Sequence, residues 1–148
     1  MNDGSVIDIT ERVKVNGFPC KDPKTVKDSD FLFQGLRNPG PPTNMFGSLI
    51  TSANVEKFPG VNTLGISMNR VDLAPGGVNP PHVHPRATEL VYVVEGTIIA
   101  GFITTNNTLF SHELEKDVFV FPRGLIHFQQ NVGPSVTVSV PRIRTLYT

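Results

Sequence analysis

The sequence predicts an all-β domain folded as a sandwich or barrel, on two observations. Thirteen glycines and thirteen prolines are spread along the 148 residues instead of being bunched. Short β-branched or aromatic runs fill the gaps between them, at lengths that suit strands. No amphipathic helical stretch, internal repeat, charge block or low-complexity tract interrupts the pattern. Many short strands at this spacing bury their apolar faces by packing two sheets together or by closing one on itself.

Residues 1–62 read as an irregular arm. Phe31-Leu32-Phe33, the proline-rich passage from Asn38 to Pro42, and the run from Phe46 to Ile50 supply aromatics to pack on the barrel and a segment able to add an edge strand. The barrel spans 63–140, with strands predicted over 63–73, a stretch through 82–84, 89–95, 97–104, 108–114, 117–121, 126–131 and 136–140. Turn residues separate them: Ala74-Pro75-Gly76-Gly77, Pro85-Arg86, Glu95-Gly96, Asn106-Asn107 and Pro122-Arg123-Gly124. Residues 141–148 read as a divergent tail outside the barrel.

A chain of 148 residues has room for one core and not for two. Thirteen basic and thirteen acidic side chains cancel, so no global field draws in nucleic acid or an anionic membrane. No run approaches the ~20 apolar residues of a membrane span, and Met1 to Thr10 alternate polar and apolar instead of forming a signal-peptide core. Cys20 is the only cysteine, which excludes an internal disulfide and reads as a small inert thiol. Asn106-Asn107-Thr108 is a glycosylation sequon in a turn, of consequence only in a secreted protein.

The chemistry concentrates at His82-Val83-His84. On a strand, residues two apart face the same side, so two imidazoles share one target. Glu89 has the wrong parity for that face of an unbroken strand, but the turn at Pro85-Arg86 can bring it back. A hard carboxylate beside two imidazoles suits a first-row divalent ion. His127 follows the tight turn Pro122-Arg123-Gly124 in an apolar segment and is the candidate fourth ligand. A lone histidine there is more often a core residue; the joint spacing favours the ligand. His112, between Ser111 and Glu113, has no partner at ligand spacing and reads as a surface histidine.

Gly76 to Gly96 reads G-x5-H-x-H-x4-E-x6-G and Pro122 to Asn131 reads P-x-G-x2-H-x3-N. Together they resemble the two cupin motifs. The wording is similar to that of plant germins and germin-like proteins at Asn62-Thr63-Leu64-Gly65, Ser67 to Asp72, Ala74 to Gly77, Asn79 to His82, His84 to Glu89, and Pro122 to Leu125. The resemblance covers roughly residues 13 to 140 and implies a cupin-type jelly-roll β-barrel. It further implies one manganese ion held by His82, His84, Glu89 and His127, an extracellular setting in the apoplast, and a homo-hexamer built as three dimers. Three neutral imidazoles and one carboxylate would leave a divalent site net positive, with two open positions for small anions such as oxalate or superoxide. Iron, zinc, nickel and copper suit the same donors.

Asn69 and Asn79 match positions whose amides, in germins that act as oxalate oxidases, hydrogen-bond the substrate. Neutral donors orient a dianion without adding charge beside a redox metal; as plain residues they also read as turn and strand-end asparagines. The sequence departs from the family pattern in three places. Lys116 stands where the second motif has glycine, a disulfide partner for Cys20 near Gly4 is absent, and a final barrel strand and the C-terminal helices have no counterpart after Val140. Without those helices the hexamer is not assured. Two functions of different class follow: a manganese oxidoreductase of oxalate or superoxide, or a non-enzymatic protein that stores metal or binds a small carboxylate of the auxin kind. An inactive shortened product is the third.

Overall fold

The computed structural model describes residues 13–145. Eleven strands and three short 3-10 turns make up its regular structure. In the arm, β1 (Lys14–Val15) and β2 (Phe18–Pro19) form a small ribbon, and β3 (Ser48–Ala53) joins the main fold as an edge strand. The rest are β4 (Ile66–Leu73), β5 (Val78–His82), β6 (Ala87–Glu95), β7 (Ile98–Ile103), β8 (Leu109–Leu114), β9 (Val118–Phe121), β10 (Ile126–Asn131) and β11 (Thr137–Thr145). They build a five-stranded sheet in the order β3-β4-β11-β6-β9 and a four-stranded sheet in the order β5-β10-β7-β8. Every pairing is antiparallel, and the two sheets face each other as a jelly-roll sandwich.

Period-two patterning fixes which side chains meet between the sheets. On β6, Ala87, Glu89, Val91 and Val93 are buried while Leu90, Tyr92 and Val94 are exposed. Val71, Leu73, Ile98, Ala100, Leu114 and Phe121 complete the apolar core with Val91 and Val93. The buried positions of β10 are all polar: His127, Gln129 and Asn131. One end of the sandwich interior is therefore apolar and another is lined with donors and acceptors.

The arm is held by an ion pair on the outer face of the larger sheet. Arg70 Nη2 lies 2.8 Å from Asp72 Oδ1, and the Asp72 side chain is fully buried. Arg70 Nη1 donates to the Leu36 carbonyl at 3.3 Å, and the Gly40 amide donates to Asp72 Oδ2 at 3.2 Å. A buried charge persists only when paired and hydrogen-bonded, and the arm backbone supplies part of that shell.

Three sequence expectations are corrected. The first strand after the arm begins at Ile66, not at 63, because Pro59–Val61 forms a 3-10 turn and Thr63 has φ 66°. The strand expected through 82–84 is Val78–His82, so His84 lies beyond its end. The last strand does not stop at Val140: β11 runs to Thr145 in the centre of the five-stranded sheet, so residues 141–145 belong to the barrel and not to a divergent tail. Pro141, which has no N–H for a ladder, lies inside this central strand. The structure accommodates it by skipping the pairing with β4 between Ser139↔Val71 and Arg142↔Met68, with the register unchanged, while keeping Pro141 opposite Val91 of β6. Lys116, in the position of a family glycine, has φ 60°. The residues around Gly4 and those after Thr145 lie outside the described part.

Candidate metal centre

Two neighbouring strands bring the first pair of site residues together. His82 closes β5 and is paired directly opposite His127 of β10, with ring centroids 4.3 Å apart. Proline can occupy β5 at Pro80 and Pro81 because β5 is the edge of its sheet. His127 is packed against Phe121, rings stacked at 4.5 Å. His84 arrives from the connection after β5, where its carbonyl accepts the Gly124 amide at 3.1 Å. Gly124 has φ 77°, a conformation open to glycine, so the turn before β10 also steadies His84. The Pro85-Arg86 turn then returns the chain into β6, where Glu89 points inward and is 2% exposed. It is the turn, and not a shared strand face, that unites His84 and Glu89 with His82.

One ligand atom from each of His82, His84, Glu89 and His127 lies within 4.8 Å of all the others. His84 Nε2 is 2.9 Å from Glu89 Oε2, and His127 Nε2 is 3.6 Å from the same oxygen. His82 Nδ1 is 2.8 Å from the Pro80 carbonyl, and His127 Nδ1 is 2.9 Å from the Leu125 carbonyl. A carbonyl can only accept, so each Nδ1 carries the proton and each Nε2 keeps its lone pair for the centre of the cluster. That is the tautomer a metal-bound imidazole needs, fixed from behind by the backbone. The buried His127 Nε2 has no hydrogen-bond partner among the described residues. Two Nε2 lone pairs fixed from behind, one of them on a buried nitrogen without a hydrogen-bond partner among the described residues, together with a third imidazole and a carboxylate, fit a divalent first-row ion.

Electrostatics divides the imidazoles. Burial pushes His82 below the usual imidazole range, and the Pro80 carbonyl offsets this only in part. Burial works in the same direction on His127, but Glu89 and the Leu125 carbonyl together outweigh it and raise that residue. At 3.6 Å the Glu89 contact exceeds normal hydrogen-bond length, so its hold on His127 is mainly charge attraction.

Asn69 and Asn79 line the same cavity of about 360 Å3 as His82, His84 and Glu89. Ile50, Val71, Pro80, Pro81 and Pro141 form its apolar wall. Neither asparagine amide is hydrogen-bonded among the described residues. Asn131, which closes the second motif, has a structural placement: its Nδ2 lies 3.0 Å from the Leu73 carbonyl, 2.9 Å from that of Ala74 and 2.7 Å from that of Ser135. His112 is exposed on β8. Gln129 escaped the sequence reading. It is fully buried, and its Nε2 donates to Glu89 Oε1 at 3.2 Å. Its spacing of two from His127 was the available signal, since both share one face of β10.

Comparison with known proteins agrees with this geometry. Residues 34–143 match the Cupin family. Germin-like protein subfamily 2 member 1 of Arabidopsis thaliana is 58% identical over 134 residues, covering 90% of this chain and 61% of that protein. Germin-like protein 5-1 of Oryza sativa subsp. japonica is 56% identical, covering 94% and 63%, and Nectarin-1 of Nicotiana plumbaginifolia is 54% identical, covering 94% and 61%. The chain thus spans 61% to 63% of the length of these relatives. Among solved structures, an oxalate oxidase in complex with the substrate analogue glycolate superposes with a TM-score of 0.85 at 41% identity, covering 92% of this chain and 70% of that one. Peruvianin-I, described as a cysteine peptidase from Thevetia peruviana latex, has a TM-score of 0.84 at 34% identity, covering 93% and 86%. With a two-sheet jelly roll, a three-histidine, one-glutamate cluster and these matches, the chain belongs to the cupin family and is similar to its germin-like proteins.

Proposed function

We propose that the protein is a manganese-dependent oxidoreductase of small anions, acting on oxalate with dioxygen to give carbon dioxide and hydrogen peroxide. The single observation behind this reading is that Asn69 and Asn79, with unengaged amides, share one cavity with His82, His84 and Glu89. The oxalate oxidase neighbour, which holds glycolate, supports it. His82, His84, Glu89 and His127 would hold the ion through Nε2 and carboxylate atoms, Nδ1 of two histidines being already committed to the backbone. Such an ion supplies a Lewis acid for a chelating carboxylate and a one-electron reservoir. Asn69 and Asn79 would donate to the carboxylate oxygens and hold the dianion in place without added charge. The apolar wall of Ile50, Val71 and Pro141 limits water around the bound anion. An extracellular, apoplastic setting goes with the same family likeness.

Superoxide dismutation uses the same open face and needs no carboxylate clamp. Replacing Asn79 by Ala should therefore abolish oxalate oxidation and spare dismutation; equal loss of both defeats the division of roles. A non-enzymatic carboxylate-binding protein is favoured by one observation, the apolar half of the cavity lining. Elemental analysis of the purified protein together with peroxide release from oxalate separates the readings. Manganese with peroxide release supports the enzyme, and tightly held metal without turnover supports the binder. Fold is no guide between them, because one fold carries many chemistries.

A further inference from the structure

We propose that Asn106 carries an N-linked glycan that shields the open edge of the smaller sheet. The extracellular setting proposed above is a premise of this inference. Asn106-Asn107-Thr108 is the only Asn-X-Ser/Thr tripeptide in the sequence, and X is not proline. It occupies the tip of the β7–β8 hairpin, and all three residues are exposed. The hairpin tip is well fixed. The Thr104 hydroxyl donates to Asn106 Oδ1, the Thr104 amide donates to the Thr108 carbonyl at 3.0 Å, and the Thr108 amide donates to Thr104 Oγ1 at 3.1 Å. Asn107 adopts φ 63°, the left-handed conformation asparagine tolerates in turns. The Asn106 carbonyl oxygen is thus engaged, while its Nδ2 has no partner among the described residues.

That nitrogen is the atom the modification needs. Nδ2 attacks the anomeric carbon of an oligosaccharide carried on a lipid diphosphate. A carbon–nitrogen bond forms, the bond from that carbon to the diphosphate oxygen breaks, and one amide proton is lost with the lipid diphosphate as leaving group. Nothing is oxidised or reduced.

The neighbouring strand gives the glycan a physical task. β8 is the outermost strand of its sheet, and its residues from Leu109 to Glu113 are exposed. Leu109 is 54% exposed and Phe110 52%. The strand contains neither the proline nor the lysine that commonly block edge-to-edge pairing. A branched, hydrated oligosaccharide three residues before Leu109 would supply the missing obstruction. None of the site residues lies in this hairpin, so the modification leaves the metal cluster alone.

The test is expression of the full chain behind a secretory leader in plant cells, with microsomal and secreted fractions read together. The expected result is a single glycan on Asn106 by peptide mass spectrometry, removed by a peptide N-glycosidase. Thr108→Ala should abolish it and Thr108→Ser retain it, because the backbone bonds of the turn survive both changes. Deglycosylation of the purified, metal-loaded protein should leave metal content unchanged and raise light scattering severalfold. A bare Asn106 in the leader-borne wild type, a glycan that survives Thr108→Ala, or equal scattering with and without sugar overturns the proposal. Modification with the leader but none on the protein from its native tissue overturns the extracellular premise instead.

Discussion

Gln129 Nε2 stands 3.2 Å from Glu89 Oε1, while the other carboxylate oxygen faces His84 and His127. The two oxygens of one buried carboxylate are therefore assigned different partners, and Gln129 decides which one is presented to the cluster.

Replacing Gln129 by Leu should weaken metal binding by about 10- to 100-fold, the usual effect of removing a group that orients a ligand. The metal-free fold should lose about 1–3 kcal/mol, because the buried Glu89 Oε1 loses its donor, a cost offset in part by removing Gln129 Oε1, which lacks a partner among the described residues. Chelator competition on the purified variant measures the affinity and thermal melting measures the fold. An unchanged metal affinity would show that Glu89 needs no such support.

Arg70→Met should be among the most destabilising surface-side changes, costing about 3–5 kcal/mol, because it strands the fully buried Asp72 carboxylate. The double variant Arg70→Met with Asp72→Leu should recover a large part of the loss. Urea unfolding of the two variants checks this, and a double variant as unstable as the single one would contradict it.

Lys116→Gly should stabilise the protein by about 0.5–1 kcal/mol. The left-handed backbone at φ 60° strains a residue with a Cβ, and the gain is partly offset by the greater freedom of glycine in the unfolded chain. Denaturant midpoints would reveal it. A destabilised variant would mean that the lysine side chain makes an offsetting contribution.

The two shifted histidines make the stability of the metal-free protein fall on both sides of the ordinary imidazole value of about 6.5. His127 is raised, so its contribution is complete below that value and is lost as pH rises through its folded pKa. His82 is lowered, so its contribution is present above that value and is lost as pH falls through its folded pKa. Melting curves of metal-free protein from pH 5 to 8 should peak near the middle. Metal loading should raise the midpoint most at the alkaline end, because all three imidazoles must be neutral to bind. A metal-free melting temperature that climbs steadily across the range would be inconsistent with these shifts.

The strand pattern and the four-residue cluster were both legible in the primary sequence, for a local reason. Alternation along β6 and β10 needs no knowledge of partners, and the two histidine-bearing motifs carry their turns with them in Pro85-Arg86 and Pro122-Arg123-Gly124. The end of the last strand was misplaced because residues after Val140 depart from the family wording, whereas strand pairing is decided by neighbours: β11 lies between β4 and β6 and pairs with both beyond Pro141. Only those neighbours reveal that Pro141, which has no N–H, falls where the pairing with β4 is skipped. Gln129 was passed over because a buried glutamine has no motif, and its partner Glu89 lies 40 residues away in sequence.

By itself the sequence determined an all-β sandwich or barrel of alternating strands, whose family resemblance implied the jelly roll, and the identity of three histidines and a glutamate able to converge on one ion. Tertiary structure alone decided which nitrogen of His82 and His127 is free, which oxygen of Glu89 is held, and that Asn69 and Asn79 share their cavity. Those are properties of contacts between strands distant in the chain, and a one-dimensional pattern fixes which face a residue occupies but not what meets it there.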